Sequence, residues 1–328
     1  MKVCIVGAGA IGGFIGTRLA LEGSARVSAL ARGTTLVALR DHGWRLLEGE
    51  AMLQAPLALA SDDAAELGAQ DLVIVALKSP SLPRLAPSLT PLFDADTIVL
   101  PAMNGVPWWF GSGIPALGSH PLESVDPGGR IAACIPIRHV VGCVVHASAA
   151  VREPGIASHR MGRGLIVGEP GGGDSARVRS LAAFLTRAGF EVTRSERIRY
   201  DIWYKLWGNM TMNPVSALTG ATTDRLQADD LVREFCSAAM REAAAVGAHI
   251  GCDVRESPQE RHAVTRKLGA FKTSMLQDVE ASRPIELDAL VGAVREIAAR
   301  VGVATPNIDA LFGLTRLFGR VRRLYPQE

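Results

Sequence analysis

The sequence predicts an α/β domain followed by an all-helical domain, and three observations support this prediction. Short apolar runs of strand length alternate with helix-like segments over the first part of the chain. Strand signals stop near residue 198, and helical periodicity continues to the C-terminus. The 328 residues are 48% hydrophobic and 21% charged, which suits a globular protein with a sizeable core. The expected domains are residues 1–197 and 198–328.

Each predicted strand of the first domain is bounded by glycine, proline or a helical pattern. Alternation of strand and helix predicts a parallel sheet with helices on both faces. One amphipathic helix is expected at 175–188, and Glu153-Pro-Gly155 is expected to form a turn. The predicted strands are Lys2–Val6, Arg26–Ala31, Asp71–Leu77, Thr97–Leu100, Val140–Ala149, Gly164–Gly168 and Phe190–Arg194.

Helical periodicity in the second domain covers residues 231–246, 261–279 and 286–301. A further helix is expected over 203–213, with Pro214 bending or ending it because proline lacks the backbone N–H.

Charge, cysteine content and hydropathy exclude several classes of partner. A net charge of +2 does not indicate a nucleic-acid or membrane-surface partner. The five cysteines show no metal-site or redox spacing and are expected to be reduced thiols. No leader pattern or apolar run of membrane-spanning length occurs. A cytoplasmic protein is therefore expected.

A glycine motif, Gly7-x-Gly9-x-x-Gly12, follows the first strand and opens a helix. In this context the first glycine permits a tight turn, the second lets backbone approach a pyrophosphate, and the third packs helix on strand. The free N–H groups of the helix N-terminus, which includes Ala10 and Ile11, attract phosphate. The motif predicts a Rossmann-type dinucleotide-binding domain; the alternative is a glycine-rich turn without a ligand.

The second strand ends at Ala29-Leu-Ala-Arg32, where an NAD-binding domain would carry a carboxylate for the ribose 2′-hydroxyl. An arginine there can instead pair with a 2′-phosphate, which favours NADP(H). The alternative is a solvated loop arginine.

Two polar residues follow later strands, at the edge where open parallel sheets bind ligands. Lys78 could contact phosphate or a substrate carboxylate, and Asn104 could hold the nicotinamide end of the cofactor. Each is, taken alone, more often a turn residue, and Asn-Gly is a common turn dipeptide.

Lys205, Asn209 and Asn213 recur every four residues in the stretch 203–214, so a helix would align them on one face. Reduction of a ketone leaves an alkoxide that needs a proton, and a partly desolvated lysine can donate one. Two carboxamides can bind a small polar substrate without adding charge. The alternative is a surface lysine with two packing asparagines.

Ser274 and Glu286 form a second set of candidates. Ser274 could bind a substrate carboxylate, and Glu286 could accept a hydrogen bond from a substrate hydroxyl or pair with Lys205. Spacing alone favours Glu286 as a first-turn carboxylate attracted by the helix dipole after Pro284.

Taken together, these stretches resemble the ketopantoate reductase family (2-dehydropantoate 2-reductases) over nearly the whole chain. The second-domain motifs are more specific than the glycine motif. The motifs that carry the resemblance are GAGAIG at 7–12, Arg32, Lys78, Asn-Gly at 104–105, EPG…H…GR…GEP across 153–170, WYKLWGNMTMNP at 203–214, SMLQD at 274–278 and IELDALVG at 285–292.

The resemblance implies NADPH-dependent reduction of 2-dehydropantoate to pantoate, on the way to pantothenate and coenzyme A. It implies a Rossmann domain followed by a helical domain, with the active site in the cleft between them. Lys205 would be the general acid, and Glu286 would lie at the substrate hydroxyl and the nicotinamide. Substrate would be held by Asn209, Asn213 and Ser274, and NADPH by Gly7, Gly9, Ala10, Ile11, Gly12, Arg32, Lys78 and Asn104.

Two departures from the family pattern concern the substrate. Ala289 and Val291 replace an aromatic residue and an asparagine, and residues 106–139 look like an insertion beside the expected nicotinamide site. A reductase or dehydrogenase of another 2-oxo acid, or an NADP-binding sensor without catalysis, are the alternative functions. The apolar residues of 105–118 and the C-terminal helix could form a homodimer interface or could equally belong to the core.

Overall fold

The computed structural model describes residues 1–267 and 269–327. Its contacts divide the chain into two compact units, the first formed by residues 1–104 and 130–201 and the second by 105–129 and 202–328. The α/β class of the first unit and the helical class of the second confirm the predicted fold. Residues 105–129, which the sequence assigned to the first domain, pack with the helical unit.

The strands are all in the first unit. They are β1 (Lys2–Val6), β2 (Arg26–Leu30), β3 (Trp44–Glu48), β4 (Ala51–Ala55), β5 (Ala60–Ser61), β6 (Leu72–Val75), β7 (Ile98–Pro101), β8 (Gly142–Glu153), β9 (Ile156–Gly168) and β10 (Glu191–Ser195).

The α-helices occur in both units. They are α1 (Ala10–Glu22), α2 (Gly33–His42), α3 (Ala64–Leu67), α4 (Leu82–Leu85), α5 (Arg130–Cys134), α6 (Ala176–Arg187), α7 (Ile198–Thr219), α8 (Thr223–Ala228), α9 (Asp230–His249), α10 (Pro258–Arg266), α11 (Ser274–Glu280), α12 (Ala293–Val301) and α13 (Pro306–Val321). A π-helical turn at Asp288–Gly292 precedes α12, and 3₁₀ turns lie at Ser79–Ser81, Ala86–Leu92, Pro115–Leu117, Pro127–Gly129 and Ile137–His139.

Two sheets build the first unit. One is fully parallel, in the order β5-β2-β1-β6-β7. The other has the order β10-β9-β3-β4, with β8 paired antiparallel to β9. The strand order of the parallel sheet reverses between β1 and β6, which is where such sheets bind ligands, beyond the carboxyl ends of the strands.

Helix α1 is buried on nearly every side because it contacts strands of both sheets. Phe14 and Leu19 are fully buried in the common core, and glycines let neighbouring elements approach the helix closely. A β-carbon on Gly16 would lie 2.6 Å from the Trp44 ring, and one on Gly13 would lie 2.9 Å from the Ala157 Cβ. Because Gly13 and Gly16 let α1 pack closely on β9 and β3, the glycine loop at the start of α1 is held in a fixed position.

The β3–β4 hairpin was not predicted from the sequence. Its strands are joined by Gly49-Glu50, and Gly49 has a φ of +58°, a conformation that favours glycine. The hairpin joins the second sheet through parallel pairing of β3 with β9, more than 100 residues later in the chain. The hydrophobic periodicity of residues 44–55 cannot reveal a pairing strand that lies so far away in the sequence.

Helix α7 is the central element of the helical unit, and two tryptophans attach it to α9. The Trp207 Nε1 donates a hydrogen bond to the Met240 carbonyl oxygen at 2.6 Å, and the Trp203 Nε1 donates one to Ala243 at 3.3 Å. Pro214 does not end this helix, which continues to Thr219. Packing of Pro214 and the buried residues around it stabilises the helix despite the lost backbone hydrogen bond.

Residues 105–129 are attached to α12 by charged groups. Glu296 accepts hydrogen bonds from the Ser124 backbone N–H at 2.8 Å, the Ser124 hydroxyl at 2.7 Å and the Glu123 N–H at 2.9 Å. Arg300 donates to the carbonyl oxygens of Leu117 at 3.1 Å and His120 at 2.9 Å. The aromatic run of this segment is buried, and the Phe110 ring stacks on Trp203 at 6.0 Å.

The apolar residues of 105–118 are therefore core, and the dimer surface that the sequence left open for them is not available. Val106, Trp108, Trp109, Phe110, Ile114 and Leu117 are all buried. In the described part of the chain, no helix combines the length and the hydropathy that crossing a bilayer requires.

Candidate functional site

The glycine loop lies where the strand order of the parallel sheet reverses. Gly7 follows β1 with a φ of +91°, and a β-carbon there would lie 2.5 Å from the Leu77 Cδ2. Leu77 follows β6, so the loops after β1 and β6 are in direct contact. Any side chain at position 7 would separate them, which explains the glycine.

Gly9 leaves open space at the N-terminus of α1. No heavy atom lies within 4 Å of a β-carbon placed there, and the residue is exposed. The first helical hydrogen bond runs from the Gly13 N–H to the Gly9 carbonyl oxygen at 2.8 Å. The N–H groups of Ala10, Ile11 and Gly12 therefore have no acceptor within the helix. This arrangement fits a dinucleotide pyrophosphate.

Arg32 lies at the other end of this binding edge, directly after β2. It occupies the N-cap position of α2 and its side chain is exposed. Among residues 1–267 and 269–327, the guanidinium forms neither a hydrogen bond nor an ion pair. A free guanidinium beside a helix N-terminus is suited to a phosphate dianion.

Lys78 and Asn104 lie at the same edge, because β6 and β7 are adjacent and parallel. Lys78 is separated from β6 by Ala76 and Leu77, and Asn104 from β7 by Ala102 and Met103. Both residues are half-buried. The predicted cofactor residues of the first unit thus lie at the carboxyl ends of β2, β1, β6 and β7, which are consecutive neighbours in the parallel sheet.

The predicted substrate residues of α7 share one helix, as their spacing required. Lys205 and Asn209 are half-buried, whereas Asn213 is 5% exposed. Neither asparagine side chain has a hydrogen-bond partner among the described residues. Because carboxamides removed from water are normally hydrogen-bonded, one buried and one half-buried carboxamide without partners on the same helix indicate a surface prepared for a polar ligand.

Ser274 and Glu286 lie on two other elements of the helical unit. Ser274 is exposed and begins α11 after Thr273, whose side chain accepts a hydrogen bond from the Leu276 N–H at 3.2 Å. Glu286 is 8% exposed, and its carbonyl oxygen accepts from the Leu290 N–H at 3.3 Å. Such burial is unusual for a first-turn carboxylate attracted only by a helix dipole.

Asp288 is a second carboxyl group close to Glu286 in the sequence. Burial raises the pKa of Asp288, and the Tyr325 hydroxyl donates a hydrogen bond to it at 2.7 Å. Tyr325 thus provides a hydrogen-bond partner for this carboxyl group.

Arg261 of α10 also belongs to this part of the helical unit, and the sequence analysis did not identify it. Its guanidinium lies 5.4 Å from the centre of the Tyr204 ring, and a β-carbon on Gly208 would lie 2.8 Å from its Nε. The available signal was Gly208 itself, because a glycine inside a helix commonly marks a close approach.

Two family models match the chain. A model described as ketopantoate reductase PanE/ApbA covers residues 3–172, and the corresponding C-terminal model covers residues 197–318. Together they cover most of both units and include every predicted site residue.

Whole-length relatives agree with these matches. The 2-dehydropantoate 2-reductase of Mesorhizobium japonicum is 42% identical over 99% of this chain and 100% of its own length. A solved structure from Ralstonia solanacearum, provisionally described as a ketopantoate reductase, is 55% identical, covers 98% of this chain and 99% of its own, and has a TM-score of 0.94. A ternary complex of D-mandelate dehydrogenase with NADH shares the fold, with 22% identity and a TM-score of 0.84.

Proposed function

We propose that this chain, because it belongs to the ketopantoate reductase family, reduces 2-dehydropantoate to pantoate with NADPH. The chain is an oxidoreductase that acts on the ketone of a 2-keto acid.

The preference for NADPH rests on Arg32. No carboxylate occupies the end of β2, and the exposed guanidinium is available for a 2′-phosphate. Gly9 and the N–H groups of α1 would bind the pyrophosphate, while Lys78 and Asn104 would contact the remaining phosphate and ribose groups. Bound NADPH supplies the hydride.

Lys205 would act as the general acid. Addition of hydride to the ketone carbon places negative charge on the substrate oxygen, and an ammonium group can stabilise and then protonate it. Lys205 is half-buried, so water has only partial access to it. Lower hydration strengthens the attraction between the ammonium group and the developing charge.

Asn209, Asn213 and Ser274 would hold the polar groups of the substrate, and Glu286 would accept a hydrogen bond from its hydroxyl. The observation that carries this proposal is the pair of carboxamides without partners on the helix that also bears Lys205. A bound hydroxy-keto acid would supply their missing hydrogen bonds, because it carries several oxygens within a short distance.

The test measures NADPH oxidation with a panel of 2-keto acids that includes 2-dehydropantoate. Wild type is compared with Lys205→Ala, and the exposed Lys272→Ala serves as a control. We expect 2-dehydropantoate to be the best substrate, with kcat reduced about 10²–10⁴-fold in Lys205→Ala, the range for loss of a general acid. Unchanged turnover in Lys205→Ala would disprove the acid assignment. NADPH binding without turnover of any 2-keto acid would favour the sensor.

Another 2-keto acid remains the second candidate, because of the residues near the π-helical turn. Ala289 and Val291 are buried, and the Val106 N–H donates to the Ala289 carbonyl oxygen at 2.8 Å. The turn that departs from the family pattern is thus attached to the segment 105–129. The same substrate panel decides this question, since a different preferred 2-keto acid would replace 2-dehydropantoate.

We further propose a homodimer through α13. Leu314, Leu317 and Val321 are exposed by 61%, 61% and 76% and recur at helical spacing along one face. A Staphylococcus aureus relative of the same fold is described as dimeric. Light scattering should give a dimer for wild type and a monomer for Leu317→Glu, whereas a monomeric wild type would contradict the proposal.

A further inference from the structure

The side chain of Arg261 is half-buried, and its guanidinium lacks a partner of opposite charge among the described residues. It donates no hydrogen bond and forms no ion pair among the residues that the structure describes, and its Nε atom is buried. The attraction from Glu256 acts only at longer range. Burial lowers the pKa of Arg261, as expected for a cation removed from water.

Removing an unpaired guanidinium from water raises the free energy of the folded chain when no ligand is bound. A buried charge is normally paired, because loss of hydration is repaid only by a hydrogen-bonded counter-charge. The Tyr204 ring offers a cation–π contact, but an aromatic face accepts no hydrogen bond from the in-plane N–H groups. The donors of Arg261 are therefore available to an anion.

Arg261 packs beside the residues proposed to bind the substrate. It lies over Gly208, where a β-carbon would be 2.8 Å from its Nε and 2.9 Å from its Nη2. Lys205 is three residues before Gly208 on α7, and Asn209 follows it directly. Residues three apart on a helix are neighbours with β-carbons about 5–6 Å apart.

We infer that Arg261 binds the carboxylate of the 2-keto acid substrate and determines specificity for it. A 2-keto acid carries its ketone oxygen and its carboxylate on adjacent carbons, so the two groups that recognise them must be close together. Lys205 lies less than one helical turn from Gly208, the residue over which the Arg261 guanidinium packs, and this placement meets the requirement. The inference rests on the proposed function, since it assumes that Lys205 contacts the ketone.

The kinetic test compares 2-dehydropantoate with its primary amide, which keeps the shape, ketone and hydroxyl but loses the negative charge. Arg261→Gln should raise KM for the acid about 10–100-fold, the effect of losing a hydrogen bond to a charged group, with kcat nearly unchanged. KM for the amide should change less than about threefold. Arg266→Gln, an exposed arginine on the same helix, is the matched control. Equal increases for acid and amide would indicate a merely structural role and overturn the inference.

A second arm needs no turnover. Calorimetry measures binding of 2-dehydropantoate to the protein saturated with NADP⁺, which cannot reduce it. Wild type should bind at least about tenfold more tightly than Arg261→Gln. Absence of turnover by wild type would refute the proposed function, whereas equal affinities of wild type and variant would refute the role of Arg261.

Gly208→Ala provides an independent check. Its β-carbon must displace the guanidinium, so KM for the acid should rise while KM for the amide does not. Combined with Arg261→Gln, it should add little further effect, because both changes remove the same contact. Additive increases in KM would contradict the inferred contact between these two residues.

Discussion

A β-carbon on Gly12 would overlap the carbonyl oxygen of Gly7, and would lie 3.0 Å from the Ile5 Cγ2. Position 12 is therefore closed to any side chain by the backbone of its own loop. Position 9 in the same loop is open, with no heavy atom within 4 Å of an added β-carbon. The two glycines thus serve different purposes, one in packing and one in leaving room for a ligand.

Gly12→Ala should destabilise the protein, and Gly9→Ala should not. The first substitution forces a backbone shift, with a cost of about 1–3 kcal/mol, typical of overpacking. The second places a methyl group where the pyrophosphate would approach, so it should weaken NADPH binding at unchanged stability. Urea unfolding and fluorescence titration with NADPH measure the two effects. Equal loss of stability in both variants would contradict this distinction.

Arg32→Ala should reduce the preference for NADPH over NADH. Loss of a hydrogen-bonded charge pair to the 2′-phosphate costs about 1.5–3 kcal/mol, or about 10–150-fold in the ratio of kcat/KM values. Arg26→Ala, at the opposite end of the same strand and also exposed, is the control. If wild type and Arg32→Ala use the two cofactors in the same ratio, the phosphate contact does not exist.

Glu296→Ala should loosen the segment 105–129. Burial opposes ionisation of this carboxyl group, but hydrogen bonds from Ser124 and Glu123 hold the pKa of Glu296 below its usual range. Their loss should lower the free energy of unfolding by about 1.5–3 kcal/mol and speed proteolysis near the exposed Gly118. Glu280→Ala, which breaks an exposed ion pair with Lys272, should cost less than about 1 kcal/mol. Similar costs for both variants would show that Glu296 is not an anchor.

Glu169 should make stability dependent on pH in the acid range. The Arg177 guanidinium, bound through Nε at 2.7 Å and Nη2 at 2.5 Å, holds the pKa of Glu169 below its ordinary value of 4.5. A depressed pKa means that the folded state favours the ionised group. Its contribution is present above about pH 4.5 and is lost as the pH falls through the folded-state pKa.

Thermal unfolding of Glu169→Gln tests this contribution. Its Tm should lie below that of wild type at neutral pH, and the two values should converge as the pH falls through the folded-state pKa of Glu169. Glu191→Gln, at an exposed position of β10, should follow wild type throughout. A difference in Tm that is independent of pH would mean that packing, rather than charge, is responsible.

The sequence predicted those parts of the fold that depend on neighbouring residues. The strand at Lys2–Val6, the glycine loop and the helix at 175–188 have local signals, and they are present within a residue or two of the expected bounds. The candidate residues on α7 were recognisable because a four-residue spacing places side chains on the same face of a helix.

Features that depend on distant pairing were missed. The β3–β4 hairpin belongs to a sheet completed by β9, and residues 105–129 join the helical unit because Phe110 stacks on Trp203. Arg261 was missed for the same reason, since only the fold brings it to Gly208.

The assignment of residues 105–129 to the helical unit means that the chain passes between the units at 104/105, 129/130 and 201/202. A single cut near residue 198 would therefore not separate two self-sufficient pieces. A fragment beginning at 202 would lack the aromatic cover of Trp203 and the backbone donor to Ala289. A chimaera designed to take the substrate preference of a relative must accordingly receive two segments of that relative together, those that correspond to residues 105–129 and 202–328.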